Sequence, residues 1–123
     1  MPKAMVIDDS RAIRLILRRT LEKLGYEVLE ACHGKEALAE LERNPEVSLM
    51  LVDWNMPEMN GLEFVNHVRS RPGYSQVVLM MVTTETEIEQ MVTALEAGAN
   101  EYVMKPFTED IITDKLRLLG LVS

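Results

Sequence analysis

The chain has 123 residues, 47% of them hydrophobic and 27% charged, with a formal net charge of −7. That length suits one domain, 1–123, able to bury roughly two-thirds of the surface its unfolded form exposes, and the acidic balance argues against a DNA-binding surface, which needs clustered Lys and Arg to neutralise phosphates. The sequence has no apolar run near the roughly 20 residues of a membrane helix, Met1-Pro2-Lys3 lacks signal-peptide features, and the single cysteine, Cys32, fits a reducing cytoplasm as an inert, partly buried thiol.

Short apolar runs alternate with amphipathic stretches along the chain. Ala4 to Ile7 reads as a strand that ends on Asp8-Asp9. Ile13, Ile16, Leu17, Leu21 and Leu24 then recur at helical spacing, and Gly25 marks the stop. Glu27 to Ala31 is a second strand, and Lys35 to Arg43 a helix facing inward through Ala37, Leu38 and Leu41, ended by Asn44-Pro45. Leu49 to Val52 is a third strand delivering Asp53, followed by a turn rich in Pro and Gly from Asn55 to Gly61. Leu62, Val65 and Val68 form the next helical stripe.

Val77 to Val82 is wholly apolar, as a strand covered on both faces requires. Thr84 and Glu87 have the spacing of a capping box, opening a helix expected to bury Ile88, Met91, Val92 and Leu95, with Gly98 at its end. Glu101 to Met104 is the fifth strand, and Thr108 caps a last helix through Ile112, Leu116 and Leu119. Five strands alternating with five helices predict an α/β fold, a doubly wound five-stranded parallel sheet of flavodoxin-like order 2-1-3-4-5. In such sheets a site lies beyond the carboxyl ends of the strands.

The chemistry converges on those ends. The first strand delivers Asp8 and Asp9, the third Asp53, the fourth Thr83 and the fifth Lys105. Taken singly, each has a plainer reading: a helix cap, a turn residue, a surface lysine before Pro106. Together at one sheet edge they point to a site. Two carboxylates near 4 Å repel by about 4 kcal/mol at an effective dielectric of about 20, and either raised pKa values or bound cations must offset this. Lys105 supplies one charge, and Mg2+ suits the remaining oxygen ligands. A carboxylate beside both can attack phosphorus. Asp53 suits that nucleophilic role, because Asp8 and Asp9 are adjacent and can share the ion. His33 and His67 lack ligand-like neighbours in the sequence and are expected to be exposed.

The segments Val6-Ile7-Asp8-Asp9-Ser10, Val52-Asp53-Trp54-Asn55-Met56-Pro57-Glu58-Met59-Asn60-Gly61, Met81-Val82-Thr83-Thr84-Glu85 and Ala97 to Phe107 together resemble the receiver domain of two-component response regulators, in particular the free-standing chemotaxis (CheY-like) type without an output domain. The resemblance covers essentially the whole chain. It implies that Asp53 is phosphorylated by a histidine kinase or phosphotransfer protein. It implies that Asp9, Asp53 and the backbone carbonyl of Asn55 bind Mg2+, with Asp8 acting largely through water. Thr83 and Tyr102 would be the switch pair, and Lys105 would contact a phosphoryl oxygen, with the bond before Pro106 cis. The output surface toward a downstream protein target would be the fourth helix, fifth strand and fifth helix.

Asn55 and Glu85 match the positions that tune dephosphorylation in chemotaxis regulators. Thr84 stands where the family commonly has alanine, which bears on access to the site, and the fourth helix is acidic where well-known chemotaxis regulators are more basic. Arg11, Arg14 and Arg18 share one helical face beside the site and are expected to help dock the phosphodonor protein. Competing readings are a phosphorelay carrier, a phosphohydrolase with an aspartyl-phosphate intermediate, and a flavin carrier of similar topology. The hydrolase lacks a second acid-base carboxylate, since Asn55 stands two after Asp53, and a cap-sized insertion. The flavin reading fails because Asp8-Asp9 would repel a phosphate where a cradling loop is needed.

Overall fold

The computed structural model describes residues 1–84 and 88–122, with the backbone alone at Ile88. The strands are β1 Lys3–Ile7, β2 Glu27–Ala31, β3 Val47–Asp53, β4 Val78–Thr83 and β5 Glu101–Met104. The helices are α1 Arg11–Lys23, α2 Gly34–Arg43, α3 Gly61–Arg69, α4 Ile88–Ala97 and α5 Glu109–Leu118. All strand pairs are parallel, in the order β2-β1-β3-β4-β5. The predicted sheet and its order are therefore the observed ones.

Alternation along each strand divides the core in two. Met5 and Ile7 of β1 face a layer with Leu41 of α2, Phe64 and Val65 of α3, and Met91 of α4. Ala4 and Val6 face the other layer, with Leu17 and Leu21 of α1 and Ile112 and Leu116 of α5. Side chains such as Phe64, Met50 and Met81 are fully buried, each stabilising the fold by about 1.5–3 kcal/mol. Met5, Met50, Met80, Met81 and Met91 fill the core.

Local signals set most element ends. Ser10 Oγ accepts from Ile13 N and opens α1, Thr108 Oγ1 accepts from Ile111 N and opens α5, and Asn60 with Glu63 forms a capping box at α3. The expected box at Thr84 and Glu87 includes residues outside those described. Gly25, at φ 96°, follows the C-cap of α1, where a side chain would be strained.

Three expectations about burial need correction. Ile16 is 48% exposed, because the inward face of α1 runs through Ile13, Leu17, Thr20 and Leu21 and leaves it at the edge. Val92 and Leu95 of α4 are 59% and 38% exposed, whereas Met91 and Ala94 are buried. Only one narrow face of α4 meets the sheet and α3, so apolar residues beside it stay in solvent.

Candidate functional site

The register of the sheet brings the predicted acids to one edge. Ile7 pairs with Ala31 and with Val52, Asp53 with Val82, and Thr83 with Met104. The residue that ends or follows each central strand thus faces the same crevice. β1 stops at Asp8, whose N–H donates to the Ala31 carbonyl at 3.1 Å. Asp8 Oδ1 accepts from Ser10 N at 2.8 Å, so the strand passes directly into the capped start of α1. Asp53 is the last residue of β3, and Trp54 N donates to the Val82 carbonyl at 3.2 Å beneath it.

Lys105 ties the edge together. Its N–H donates to the Thr83 carbonyl at 2.6 Å, and the Lys105–Pro106 peptide bond is cis. Its Nζ lies 3.2 Å from Asp8 Oδ2 and 3.3 Å from Asp53 Oδ1. Asp8 and Asp53 are buried, Asp9 is exposed, and carboxylate oxygens of the three lie within 4.8 Å of one another.

The charges respond to this crowding. Burial, and next the negative charge of Asp8, pushes the Asp53 carboxyl up to about 6, against the opposing pull of Lys105. Burial pushes the Lys105 ammonium down, but the carboxylates of Asp53 and Asp8 outweigh it and leave the group raised and charged. Three carboxylates against one ammonium leave excess negative charge on hard oxygen donors. That donor set fits a hard divalent cation.

Thr83 is fully buried at the end of β4, its hydroxyl 3.3 Å from the Thr84 carbonyl. Tyr102 is half-buried on β5, in register with Met81, and Lys115 Nζ lies 5.2 Å from its ring centroid. Asn55 is exposed on the loop after Asp53, and Thr84 is half-buried. Glu85 lies outside the described residues. The loop from Asp53 is drawn in tightly: Gly61 N donates to the Trp54 carbonyl at 2.8 Å, and a Cβ at Gly61 would lie 3.1 Å from Trp54 Cα and 3.2 Å from the Asp53 carbonyl oxygen.

Sequence reading placed Arg14 and Arg18 on a docking face and missed Glu30, the partner that turns both toward the sheet. Arg14 Nη1 donates to the Asp8 carbonyl at 2.6 Å and Arg14 Nε to Glu30 Oε1 at 3.1 Å, while Arg18 Nη1 holds Glu30 Oε2 at 2.7 Å. The available signal was Glu30 itself, a carboxylate near the end of a strand that neighbours the acid-bearing one. His33 also departs from expectation. It is half-buried and caps α2, its Nδ1 accepting from Glu36 N at 3.1 Å, and Cys32 and Glu36 lie beside it; His67 is exposed, as expected.

A five-stranded parallel sheet carrying an acidic crevice with a bridging lysine defines a receiver-type signalling domain. The response regulator receiver domain family matches residues 4–117. The chain belongs to that family. It is 46% identical over 118 residues to chemotaxis protein CheY1 of Helicobacter pylori, covering 95% of each chain. It is 48% identical over 123 residues to a chemotaxis protein CheY homolog of Campylobacter jejuni, covering 98% of this chain and 95% of the other. Among solved structures, the chemotaxis response regulator CheY4 of Vibrio cholerae superposes with a TM-score of 0.88 at 36% identity, covering 97% of this chain and 98% of that one. The protein is thus a homologue of chemotaxis response regulators, signalling proteins that work through phosphorylation in two-component systems. Among the described residues, no helix is long and apolar enough to cross a membrane.

Proposed function

We propose that Asp53 is the phosphoacceptor of a phosphorylation switch and that Mg2+ is its cofactor. The observation that carries this reading is Lys105 Nζ bridging Asp8 and Asp53 beside Asp9. An Asp53 oxygen attacks phosphorus; the new acyl-phosphate O–P bond forms as the donor's bond to the phosphoryl group breaks, its electrons leaving with the donor. The donor is a phosphohistidine on a histidine kinase or phosphotransfer protein. Asp8, Asp9, Asp53 and the Asn55 carbonyl would hold the ion, which supplies charge neutralisation on the transferring oxygens.

The chain's own groups do the rest. Lys105 pairs with a phosphoryl oxygen and relieves its contact with Asp53. Thr83 offers its hydroxyl to another oxygen, and its movement draws Tyr102 inward. The same residues, with Asn55, Thr84 and Glu85 at the rim, govern loss of the phosphoryl group to water, so the chain catalyses its own phosphorylation and dephosphorylation.

The readout surface is α4, β5 and α5. A recess of about 290 Å³ there is lined by Tyr102, Met104, Pro106, Ile111 and Lys115, and Val92, Leu95 and Ile111 are exposed nearby. A downstream protein docks there when Tyr102 moves. The named relatives favour chemotaxis as the pathway, in the cytoplasm.

The test uses Trp54, the sole tryptophan, which adjoins Asp53 and is buried. Its fluorescence should change on adding Mg2+, and again with a small phosphodonor such as acetyl phosphate. Asp53→Asn should abolish the second response. Persistence of that response in Asp53→Asn, or no acyl phosphate on the wild-type protein, overturns the proposal.

A further inference from the structure

A second cluster of ligand-type side chains lies at the β2–α2 junction and shares no residue with the acidic crevice. Cys32, His33 and Glu36 each offer one ligand atom, and the three atoms lie within 4.8 Å of one another. Glu36 is held in two ways: its Oε1 accepts from Cys32 N at 3.1 Å, and Cys32 Sγ donates to its Oε2 at 3.5 Å. In a tetrahedral zinc site, bonds of about 2.3 Å to sulfur and about 2.0 Å to oxygen place those two ligands about 3.5 Å apart. The spacing of the metal-free side chains already matches that edge.

We propose that Cys32, His33 and Glu36 form a binding site for a borderline divalent transition-metal ion, Zn2+ in particular, with its fourth position open to water. The sulfur, nitrogen and oxygen set is typical of zinc, and a thiolate does not suit the hard ion expected at Asp53. Thiolate and carboxylate together neutralise the ion. This offsets the unfavourable placement of a cation at the positive end of α2.

Binding has a defined proton balance. The Cys32 thiol gives one proton to solvent as its sulfur binds the metal. His33 Nδ1 accepts from Glu36 N, so the neutral ring carries its proton on Nε2 and keeps one lone pair. That pair cannot serve the helix cap and the metal together. Metal therefore replaces the cap hydrogen bond of α2, and no proton leaves the imidazole overall. The half-buried Cys32 and His33 and the exposed Glu36 leave the cluster open to an ion from solution.

The full chain, reduced and freed of metal, can be titrated with Co2+ as a spectroscopic stand-in, then with Zn2+. One equivalent of Co2+ should produce a sulfur-to-metal charge-transfer band that Zn2+ removes and excess Mg2+ does not. Cys32→Ser should abolish the band. His33→Asn keeps a helix-capping oxygen while deleting the imidazole, and Glu36→Gln keeps the shape while deleting the charge. Each should weaken binding by at least roughly the 10-fold that loss of even an outer partner costs, while thermal melts of the metal-free variants confirm the fold. Repeating the titration with Asp53→Asn should leave the band unchanged. A missing band, a band of equal affinity in His33→Asn and Glu36→Gln, or displacement by Mg2+ would overturn the site.

Discussion

Arg14 Nη1 donates to the backbone carbonyl of Asp8 at 2.6 Å. The same guanidinium meets Glu30 Oε1 at 3.1 Å, and Glu30 is itself fastened by Arg18 at 2.7 Å. Those contacts, with the cap of Ser10, fix the point where β1 becomes α1. Arg14 therefore orients the acidic pair from behind, and Arg11, Arg19 and Lys23 remain as the exposed cations of α1.

Arg14→Ala should weaken Mg2+ binding by about 10-fold, the lower end for loss of a group that positions ligands. Titration of the Trp54 signal with Mg2+ checks this. Arg11→Glu, at the member of the expected docking face that Glu30 does not hold, should leave that titration unchanged and slow phosphorylation by a protein donor, but not by acetyl phosphate. Equal slowing with both donors would remove the docking role from Arg11.

The hydrogen bond from Arg18, foremost, and that from Arg14 hold the Glu30 carboxyl below its ordinary 4.5 against burial. A carboxyl with a lowered folded-state pKa contributes stability that is present above its unfolded value and lost as pH falls through the folded one. Glu30→Gln should therefore destabilise the protein at pH 7, with the difference from wild type shrinking below about 4.5. Thermal melts across that range measure it.

Asp53 behaves in the opposite sense. Its folded pKa is raised from 3.8 to about 6, so the favourable contribution is present below 3.8 and is lost as pH rises through about 6. About two pKa units at about 1.4 kcal/mol each put the cost of ionising it in the metal-free fold near 3 kcal/mol at most. Asp53→Asn should thus raise the melting temperature of metal-free protein at pH 7.5. The gain should vanish near pH 4, and saturating Mg2+ should reverse it by stabilising wild type alone.

Lys105→Met removes the cation from two buried carboxylates while keeping the stem's apolar contacts. Leaving buried charge uncompensated costs about 3–5 kcal/mol when the partner is fully enclosed. Lys105 keeps 23% of its side chain in solvent, so about 2–3 kcal/mol is expected. Denaturant unfolding should show that loss in metal-free protein, and Mg2+ should recover much of it. Phosphorylation by acetyl phosphate should remain slow even with Mg2+ bound, which separates the stabilising role from the phosphoryl contact.

Gly61→Ala tests the loop that carries Asn55. The new Cβ would press on Trp54 Cα and the Asp53 carbonyl, both backbone atoms, and on the more yielding Met81 Cε. A destabilisation of about 1–3 kcal/mol follows from that overpacking, and Mg2+ affinity should fall with it. An unchanged melting temperature would show that the loop can give way.

The amino-acid order by itself determined the five strands and five helices, the sheet order, the caps at Ser10 and Thr108, and the rim bearing Asp8, Asp9, Asp53, Thr83 and Lys105. These are local or periodic properties: two-residue and 3.6-residue repeats, short-range hydrogen bonds, and right-handed crossovers that carry successive strand ends to one edge. Only the tertiary structure decided that Arg14 turns inward onto Asp8, that Val92 and Leu95 stay in solvent, and that His33 sits with Cys32 and Glu36. Periodicity says which residues share a face, but not how much of that face a neighbour covers. A charged stripe likewise looks the same in sequence whether it meets water or a carboxylate on the adjacent strand.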